Sequence, residues 1–276
     1  MTGIQVFGYD GKRVLVVGGA TGMGAAAAKA AAGLGAEVIV MDRAPVDYPV
    51  AAEISVDLQD QAALDTAIDQ VGGPVDAVFS AAGISQGPGT MKINFIAHRH
   101  LIERMVGEGT LGAGSAVCLI SSVAGLGWQN HLERLTDFLA APDFAAAGKW
   151  VGEHEGTNTY TFSKQAINAY VARAAYPLMA KGIRINAICP GPTDTPLARA
   201  EGWLNGFGAD YRQAVDSQPL VPEQMATVML FLNSAAGRGI SGVSLLVDDG
   251  HIMSSIGGSW EPGGPVIKFL MTDTSR

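Results

Sequence analysis

Charged residues, and basic residues in particular, are scarce in this 276-residue chain. Charged side chains make up 16% of the sequence, where an average soluble domain has about 25%. Lys and Arg number 18 against 26 Asp and Glu, which leaves a net charge of −8. Because nucleic-acid binders usually carry net positive charge, we expect no nucleic-acid partner. Low charge beside 48% hydrophobic residues also excludes a disordered chain.

Cysteine and long hydrophobic runs are scarce as well. The two cysteines, Cys118 and Cys189, both lie in apolar segments, and two buried thiols make no disulfide scaffold. No signal peptide is predicted, because Asp10 precedes any basic residue or apolar segment. The uncharged stretch from Val14 to Ala28 contains four glycines and is too short to span a membrane. We therefore expect a cytoplasmic protein without membrane association.

Short β-branched runs alternate with Ala-rich helical segments along most of the chain. Several of the runs are continuously apolar, which is typical of strands covered by helices on both faces. The alternation predicts an α/β protein: a single-domain Rossmann fold over residues 1–276 whose doubly wound, seven-stranded parallel sheet has helices on both faces. The predicted strands are Arg13 to Val17, Glu37 to Met41, Ile54 to Val56, Val75 to Phe79, Ala116 to Ile120, Arg184 to Ile188 and Ser244 to Val247. The predicted helices are Met23 to Leu34, Gln61 to Val71, Ile93 to Met105, Tyr160 to Ala180 and Pro222 to Leu232.

Two segments interrupt this alternation. Residues 125–159 form an insertion much longer than a usual strand-to-helix connection. Within it, Leu132, Leu135, Phe138 and Leu139 recur at helical spacing and predict one helix. The C-terminal residues 257–276 are rich in Gly and Pro, which predicts either a loose tail or an arm whose VIKFLM segment packs on the rest of the protein.

A glycine-rich turn follows the first predicted strand and opens the first helix. Gly18, Gly22 and Gly24 allow a tight turn in which a pyrophosphate lies at the helix N-terminus, although an ordinary strand-to-helix turn is the alternative. Asp42 closes the second strand 18 residues beyond Gly24, where a carboxylate accepts hydrogen bonds from the ribose of NAD and repels the extra phosphate of NADP. The adjacent Arg43 could accept that phosphate. The carboxylate favours NAD.

Tyr160 and Lys164 lie one turn apart on one face of a predicted helix. A nearby ammonium lowers the pKa of a phenol, which suits the pair to remove the proton of an alcohol while hydride leaves its carbon. Ser122 ends the fifth predicted strand, where it either hydrogen-bonds a substrate oxygen or caps a turn. Asn94 lies early in a helix, either in the site or facing solvent.

Several segments between Lys12 and Gly250 resemble the motifs of the short-chain dehydrogenase/reductase family. VGGATGMG resembles the family's TGxxxGxG, YTFSK matches its YxxxK, and PGPTDT resembles its PGxxxT. VDL at residues 56–58 matches a segment that contacts the adenine of the cofactor. SAAG at residues 80–83 stands where the family has NNAG, so this chain lacks the two asparagines whose hydrogen bonds stabilise the strands in the family.

The resemblance implies a role for each catalytic candidate. Tyr160 is the general acid/base, and Ser122 positions the substrate oxygen. Lys164 lowers the pKa of the tyrosine and binds the nicotinamide ribose, while Asn94 holds a water that relays protons. The histidines show no metal-ligand spacing, so no metal is expected. The residues expected to bind the cofactor are Gly18, Thr21, Gly22, Met23, Gly24, Asp42, Arg43, Asp57, Leu58, Ala82, Gly83, Tyr160, Lys164, Pro190, Gly191, Thr193 and Thr195.

The insertion bears on the substrate, because Tyr160 follows Ser122 by 38 positions. This length, with TDTPLARA at residues 193–200, is similar to the family's bacterial 3α-hydroxysteroid dehydrogenase/carbonyl reductase and coniferyl-alcohol dehydrogenase-like branch. We expect an apolar, ring-containing alcohol or ketone such as a hydroxysteroid, with terpenoid and coniferyl-type alcohols as alternatives. Aromatic and apolar side chains of the insertion and of the loop after residue 195 either line the pocket or only pack the loops: Trp128, Phe138, Trp150, Trp203, Leu204, Phe207 and Tyr211.

Two further questions stay open at the level of sequence. A catalytically silent dinucleotide sensor is the alternative to an enzyme, although it has no need of Ser122, Tyr160 and Lys164 together.

Family members usually assemble through helix faces near the catalytic helix, and the insertion emerges beside that helix. The resemblance therefore implies a homodimer or a homotetramer.

Overall fold

Seven parallel strands form one sheet in the computed structural model, which describes residues 5–271. The strands lie in the order β3-β2-β1-β4-β5-β6-β7, so the order reverses between β1 and β4. This sheet confirms the predicted fold class. The strand bounds are β1 (Arg13–Val17), β2 (Glu37–Asp42), β3 (Ala52–Ser55), β4 (Ala77–Ser80), β5 (Ala116–Ile120), β6 (Arg184–Pro190) and β7 (Ser244–Val247).

Helices connect the strands and cover both faces of the sheet. The helix before α3 is a single π-helical turn, Lys92–Ile96, that continues directly into it. The α-helices are α1 (Gly22–Gly33), α2 (Gln61–Val71), α3 (Ala97–Gly107), α4 (Leu132–Leu139), α5 (Phe144–Glu153), α6 (Tyr160–Met179), α7 (Pro196–Ala200), α8 (Ala209–Ala214), α9 (Pro222–Asn233), α10 (His251–Ile256) and α11 (Gly264–Met271). No helix in residues 5–271 combines the length and the apolar character needed to cross a bilayer.

The hydrophobic core has two halves, one on each face of the sheet. Side chains alternate along a strand, so Val14 and Val16 of β1 face the half that α1 and α9 cover. Leu15 and Val17 face the other half, which α2, α3 and α6 cover. Burial on both faces explains why the strands are continuously apolar. The predicted strand bounds are wrong by one or two residues at several ends; at the start of β4, for example, the apolar Val75 lies before the paired segment.

The insertion belongs to the core rather than to a surface loop. Helix α4 has the predicted position, but α5 was not predicted, because its Ala- and Gly-rich sequence has little apolar periodicity. Phe138 on α4 is fully buried, and its ring centroid lies 5.5 Å from that of Phe95. The corresponding distances are 5.1 Å to Trp150 and 5.7 Å to Phe162 at the start of α6. These contacts join the insertion to the face of the sheet covered by α3 and α6.

The C-terminal segment is an arm through residue 271. The VIKFLM sequence lies in α11, and the Asn130 side chain donates a hydrogen bond to the Met271 carbonyl. A Cβ at Gly127 would collide with the backbone of Leu270, so the arm lies directly on the start of the insertion. Of the two predicted alternatives, the structure has the arm. Residues 272–276 of the predicted tail lie outside the described residues.

Phe138→Ala should lower the free energy of unfolding by about 3–5 kcal/mol, because it leaves a cavity among three aromatic rings. The control is Leu132→Ala on the same helix, where a side chain that is 51% exposed should contribute little. Urea denaturation of both variants measures the difference. Equal stability of the two variants would contradict the assignment of the insertion to the core.

Candidate functional site

Two adjoining cavities lie at the carboxyl edge of the sheet, where the loops after the neighbouring strands β1 and β4 leave it. Parallel α/β sheets bind ligands at this position because their loops leave a crevice at the point where the strand order reverses. We call them the glycine cavity, of about 300 Å³, and the tyrosine cavity, of about 330 Å³. Met23, Ala81, Gly83, Thr195 and Leu197 line both, so the two form one continuous cleft.

The turn between β1 and α1 forms the floor of the glycine cavity. Gly18 has a φ of +84°, and a Cβ there would collide with the backbone of Ala82. A Cβ at Gly24 would collide with the carbonyl oxygen of Gly18. Thr21, the N-cap residue of α1, makes no side-chain capping hydrogen bond. The first N–H groups of α1 therefore have no side-chain cap, and they lie beside a tightly folded turn. This arrangement suits the pyrophosphate of a dinucleotide.

Asp42 ends β2 beside this turn. One of its carboxylate oxygens accepts a hydrogen bond from the backbone N–H of Ala20 at 2.8 Å, and the other accepts from Ala44 at 2.9 Å. These bonds fix the carboxylate at the wall of the glycine cavity, where the exposed Arg43 lies next to it. The fixed carboxylate has lone pairs left for two hydroxyl donors.

Tyr160 and Lys164 lie together in the tyrosine cavity. Thr159 caps α6 by accepting a hydrogen bond from the N–H of Phe162 at 3.2 Å, so the helix begins at Tyr160. The Lys164 Nζ lies 5.3 Å from the centre of the Tyr160 ring. It donates a hydrogen bond to the carbonyl oxygen of Ile120 at 2.9 Å, which ties the ammonium to the end of β5.

Burial dominates the protonation of this pair. It raises the pKa of Tyr160, and a hydrogen bond with Ser122 acts in the opposite direction. It lowers the pKa of Lys164 to about 8. The Tyr160–Lys164 spacing predicted that the ammonium lowers the pKa of the phenol. The net pKa of Tyr160 is instead raised, because desolvation of the phenolate is the largest effect.

Ser122 and Asn94 occupy different layers of the site. The Ser122 Oγ accepts a hydrogen bond from the Ala124 N–H at 3.1 Å and also faces Tyr160, so the serine both caps a turn and lines the tyrosine cavity. Asn94 is fully buried behind the cavities, not facing solvent. Its Oδ1 accepts from the Ile84 N–H at 2.8 Å, and its Nδ2 donates to the Ile84 carbonyl at 2.9 Å and to the Ser163 Oγ at 3.1 Å.

The structure brings together nearly all residues that the sequence singled out. With the exception of Asn94, each predicted catalytic or cofactor-binding residue lines one of the two cavities. The apolar side chains that complete the walls of the glycine cavity, such as Ile84 and Ile93, were not predicted, because no motif marks them. His98, a buried histidine behind the cleft, was not predicted either.

The aromatic side chains divide into two groups. Trp203 and Phe207 line the tyrosine cavity, and the Trp203 ring lies 5.3 Å from that of Tyr160. Tyr211 lies behind them, stacked on His251 at 4.7 Å. The aromatic residues of the insertion, Trp128, Phe138 and Trp150, pack against the core and are not among the described residues that line the cavity. Of the two predicted alternatives, the aromatic residues of the insertion therefore follow the second: they pack the insertion onto the core and do not line the pocket.

Residues 5–271 contain no group of three or more His, Cys, Asp or Glu side chains that could hold a metal ion. The two cysteines are buried and unbridged.

Comparison with known proteins gives consistent results. A model described as the NAD dependent epimerase/dehydratase family matches residues 14–185, and one described as enoyl-(acyl carrier protein) reductase matches residues 145–251. Coniferyl-alcohol dehydrogenase of Pseudomonas sp. (strain HR199 / DSM 7063) is 26% identical, over 87% of this chain and 96% of the relative. The 3-alpha-hydroxysteroid dehydrogenase/carbonyl reductase of Comamonas testosteroni is 28% identical, over 86% of this chain and 95% of the relative.

Solved structures show the same fold. The 3-alpha-hydroxysteroid dehydrogenase from Pseudomonas sp. B-0831, complexed with NADH, superposes with a TM-score of 0.70. It covers 90% of this chain and 99% of its own length, at 23% sequence identity.

Gly24→Ala should weaken dinucleotide binding by about tenfold or more, because the added Cβ forces the turn away from the Gly18 carbonyl. The control is Gly33→Ala in the last turn of the same helix, where a Cβ meets no atom within 4 Å. We expect it to leave the affinity unchanged. Titration of NADH fluorescence measures both. Wild-type affinity in Gly24→Ala would show that the turn does not carry the dinucleotide.

Proposed function

Because the chain belongs to the short-chain dehydrogenase/reductase family of oxidoreductases, we propose that it interconverts a secondary or aryl alcohol and its carbonyl compound by hydride transfer with NAD. The observation that carries this proposal is the convergence of Ser122, Tyr160 and Lys164 in a cavity continuous with the glycine turn. A protein that only binds a dinucleotide needs the glycine turn alone. Proton transfer to and from a substrate oxygen also needs polar side chains such as these three. The hydride acceptor in alcohol oxidation is the nicotinamide of the bound dinucleotide.

Tyr160 acts as the general acid and base in this proposal. Its raised pKa keeps the phenol protonated near neutral pH, so it can donate its proton to a carbonyl oxygen during reduction. In the oxidation direction the phenolate form of Tyr160 accepts the proton of the alcohol, and Lys164, with a pKa of about 8, is close enough to stabilise that phenolate. The Ser122 side chain hydrogen-bonds the Tyr160 hydroxyl, and in this position it orients the reacting oxygen of the substrate.

The family uses NAD or NADP, and we propose NAD for this chain. The Asp42 carboxylate is held at the wall of the glycine cavity by two backbone N–H groups. It can accept hydrogen bonds from the ribose hydroxyls of NAD, and its charge repels the additional phosphate of NADP. Arg43 is the competing feature, but it is exposed and outside the sheet, whereas the carboxylate is fixed.

The tyrosine cavity supports a neutral, ring-containing substrate such as a hydroxysteroid. Trp203 and Phe207 offer flat apolar surface close to Tyr160. Among its described lining residues Lys164 is the only charged one, and that ammonium is committed to the Ile120 carbonyl and, in this proposal, to the nicotinamide ribose. A substrate carboxylate would therefore lose its hydration without gaining a cation. Terpenoid and coniferyl-type alcohols meet the same requirements.

Tyr160→Phe should lower turnover by about 10² or more while leaving NAD affinity near the wild-type value, because it removes only the transferable proton. The assay uses wild type and variant with a panel of steroid, terpenoid and aryl alcohols, each with NAD and with NADP, and small polar alcohols for comparison. Undiminished turnover in the variant would overturn the assignment of Tyr160. Tight NAD binding by the wild type without turnover on any alcohol would favour a dinucleotide sensor instead.

The charge preference of the pocket can be tested with one matched pair of substrates. Methyl 4-(1-hydroxyethyl)benzoate and the corresponding free acid differ only in the charge at the far end of the ring. We expect kcat/KM to be about tenfold or more in favour of the ester, because the cavity offers the carboxylate no free cation. A preference for the acid would contradict the proposed substrate class and leave the hydride-transfer chemistry unaffected.

A further inference from the structure

A buried histidine supports the loop after β4, where the sequence has SAAG. His98 lies on α3 one turn after Asn94, and its side chain points back to the end of β4. His98 and Ser80 are 2% and 3% exposed. Asparagines at the first two of these positions could hold the backbone themselves, but Ser80 and Ala81 have side chains too short to do so. The support comes instead from the helix that follows.

The hydrogen bonds of His98 define its tautomer. The Nε2 lies 3.0 Å from the carbonyl oxygen of Ala82, and since a carbonyl can only accept, Nε2 carries the proton. The Nδ1 of the neutral ring is then an acceptor, and the Ser80 hydroxyl donates to it. Burial lowers the pKa of His98 to about 4, partly offset by the bond to Ala82, so the ring is neutral near pH 7. The imidazole thus bridges a strand end and a loop carbonyl.

The loop that His98 holds is part of the cleft. Ala82 lines the glycine cavity, its N–H donates to the Val17 carbonyl at 2.9 Å, and its backbone fills the space where Gly18 would otherwise carry a Cβ. Ile84 follows Gly83 in the same loop, and Asn94 hydrogen-bonds both the N–H and the carbonyl oxygen of Ile84. A shift of the Ala82 peptide would therefore displace the wall against which the glycine turn is packed.

We propose that His98, with Ser80, is a positioning residue for the dinucleotide: it holds the Ala82 carbonyl so that residues 82–84 and the glycine turn keep the geometry that binds the cofactor. This inference rests on the proposed function, because it requires that the cleft bind NAD. His98 does not itself line either cavity, so it acts through Ala82 and not through direct contact with the cofactor.

Two substitutions separate the two hydrogen bonds of the imidazole. Gln carries its terminal nitrogen about as far from the backbone as the Nε2 of histidine, so His98→Gln can keep the bond to Ala82. Asn ends near the level of Nδ1, so His98→Asn can keep the contact with Ser80 and loses the bond to Ala82. We expect His98→Asn to raise the Kd for NAD about fivefold or more and His98→Gln to raise it less than about twofold.

The control is His100→Asn on the same helix, which removes a contact of 2.7 Å with Asp65 outside both cavities and should leave the Kd unchanged. Direct NADH titration gives the Kd, and thermal unfolding of each variant gives its stability. Equal NAD affinity in all variants, with only the melting temperature lowered, would show a merely structural role and overturn the inference. Failure of the proposed function gives a different result. In that case the wild type and the His98 variants bind NAD with the expected affinities, but none of them turns over any alcohol. A wild type that binds neither NAD nor NADP would overturn both.

Discussion

The close approach of two backbone segments constrains the whole cleft. Gly18 in the β1–α1 turn and Ala82 in the loop after β4 lie so near each other that a Cβ on Gly18 cannot fit between them. A Cβ on Gly24, in the first turn of α1, would likewise collide with the Gly18 carbonyl oxygen. The turn and the loop therefore move together, and groups that stabilise one also position the other. The polar residues on α6 face the same loop, since the Lys164 Nζ is 3.8 Å from the position of a Cβ on Gly83.

Most of the fold was predictable because its signals are local. Apolar strands buried on both faces, a glycine turn between a strand and a helix, and Tyr160 and Lys164 one turn apart are all patterns within a few residues. The helix of the insertion that carries Phe138 was predictable for the same reason, since its apolar residues recur at helical spacing. Helix α5 is rich in Ala and Gly, and its helical state depends on an Asp143 cap and on packing against its neighbours.

The unpredicted parts depend on contacts between distant residues. His98 is a single histidine in a helix, and its partners Ser80 and Ala82 precede it by 18 and 16 positions. No spacing rule connects them. Likewise, the aromatic residues of the insertion and those near Trp203 look equivalent in sequence, but only the direction in which each segment leaves the sheet decides which group reaches the cavity. The protonation of Tyr160 is also a property of burial in the folded protein, which the adjacent lysine in the sequence does not reveal.

The contact between Asn130 and Met271 has a consequence for synthesis of the protein. Residue 271 is made 141 residues after residue 130, so the start of the insertion waits for its final neighbour while that stretch is synthesised. Until then, the surface around Gly127 that α11 covers is open. Tyr160 and the rest of α6 are made in that interval, so this helix is complete before the arm closes over the segment that precedes it.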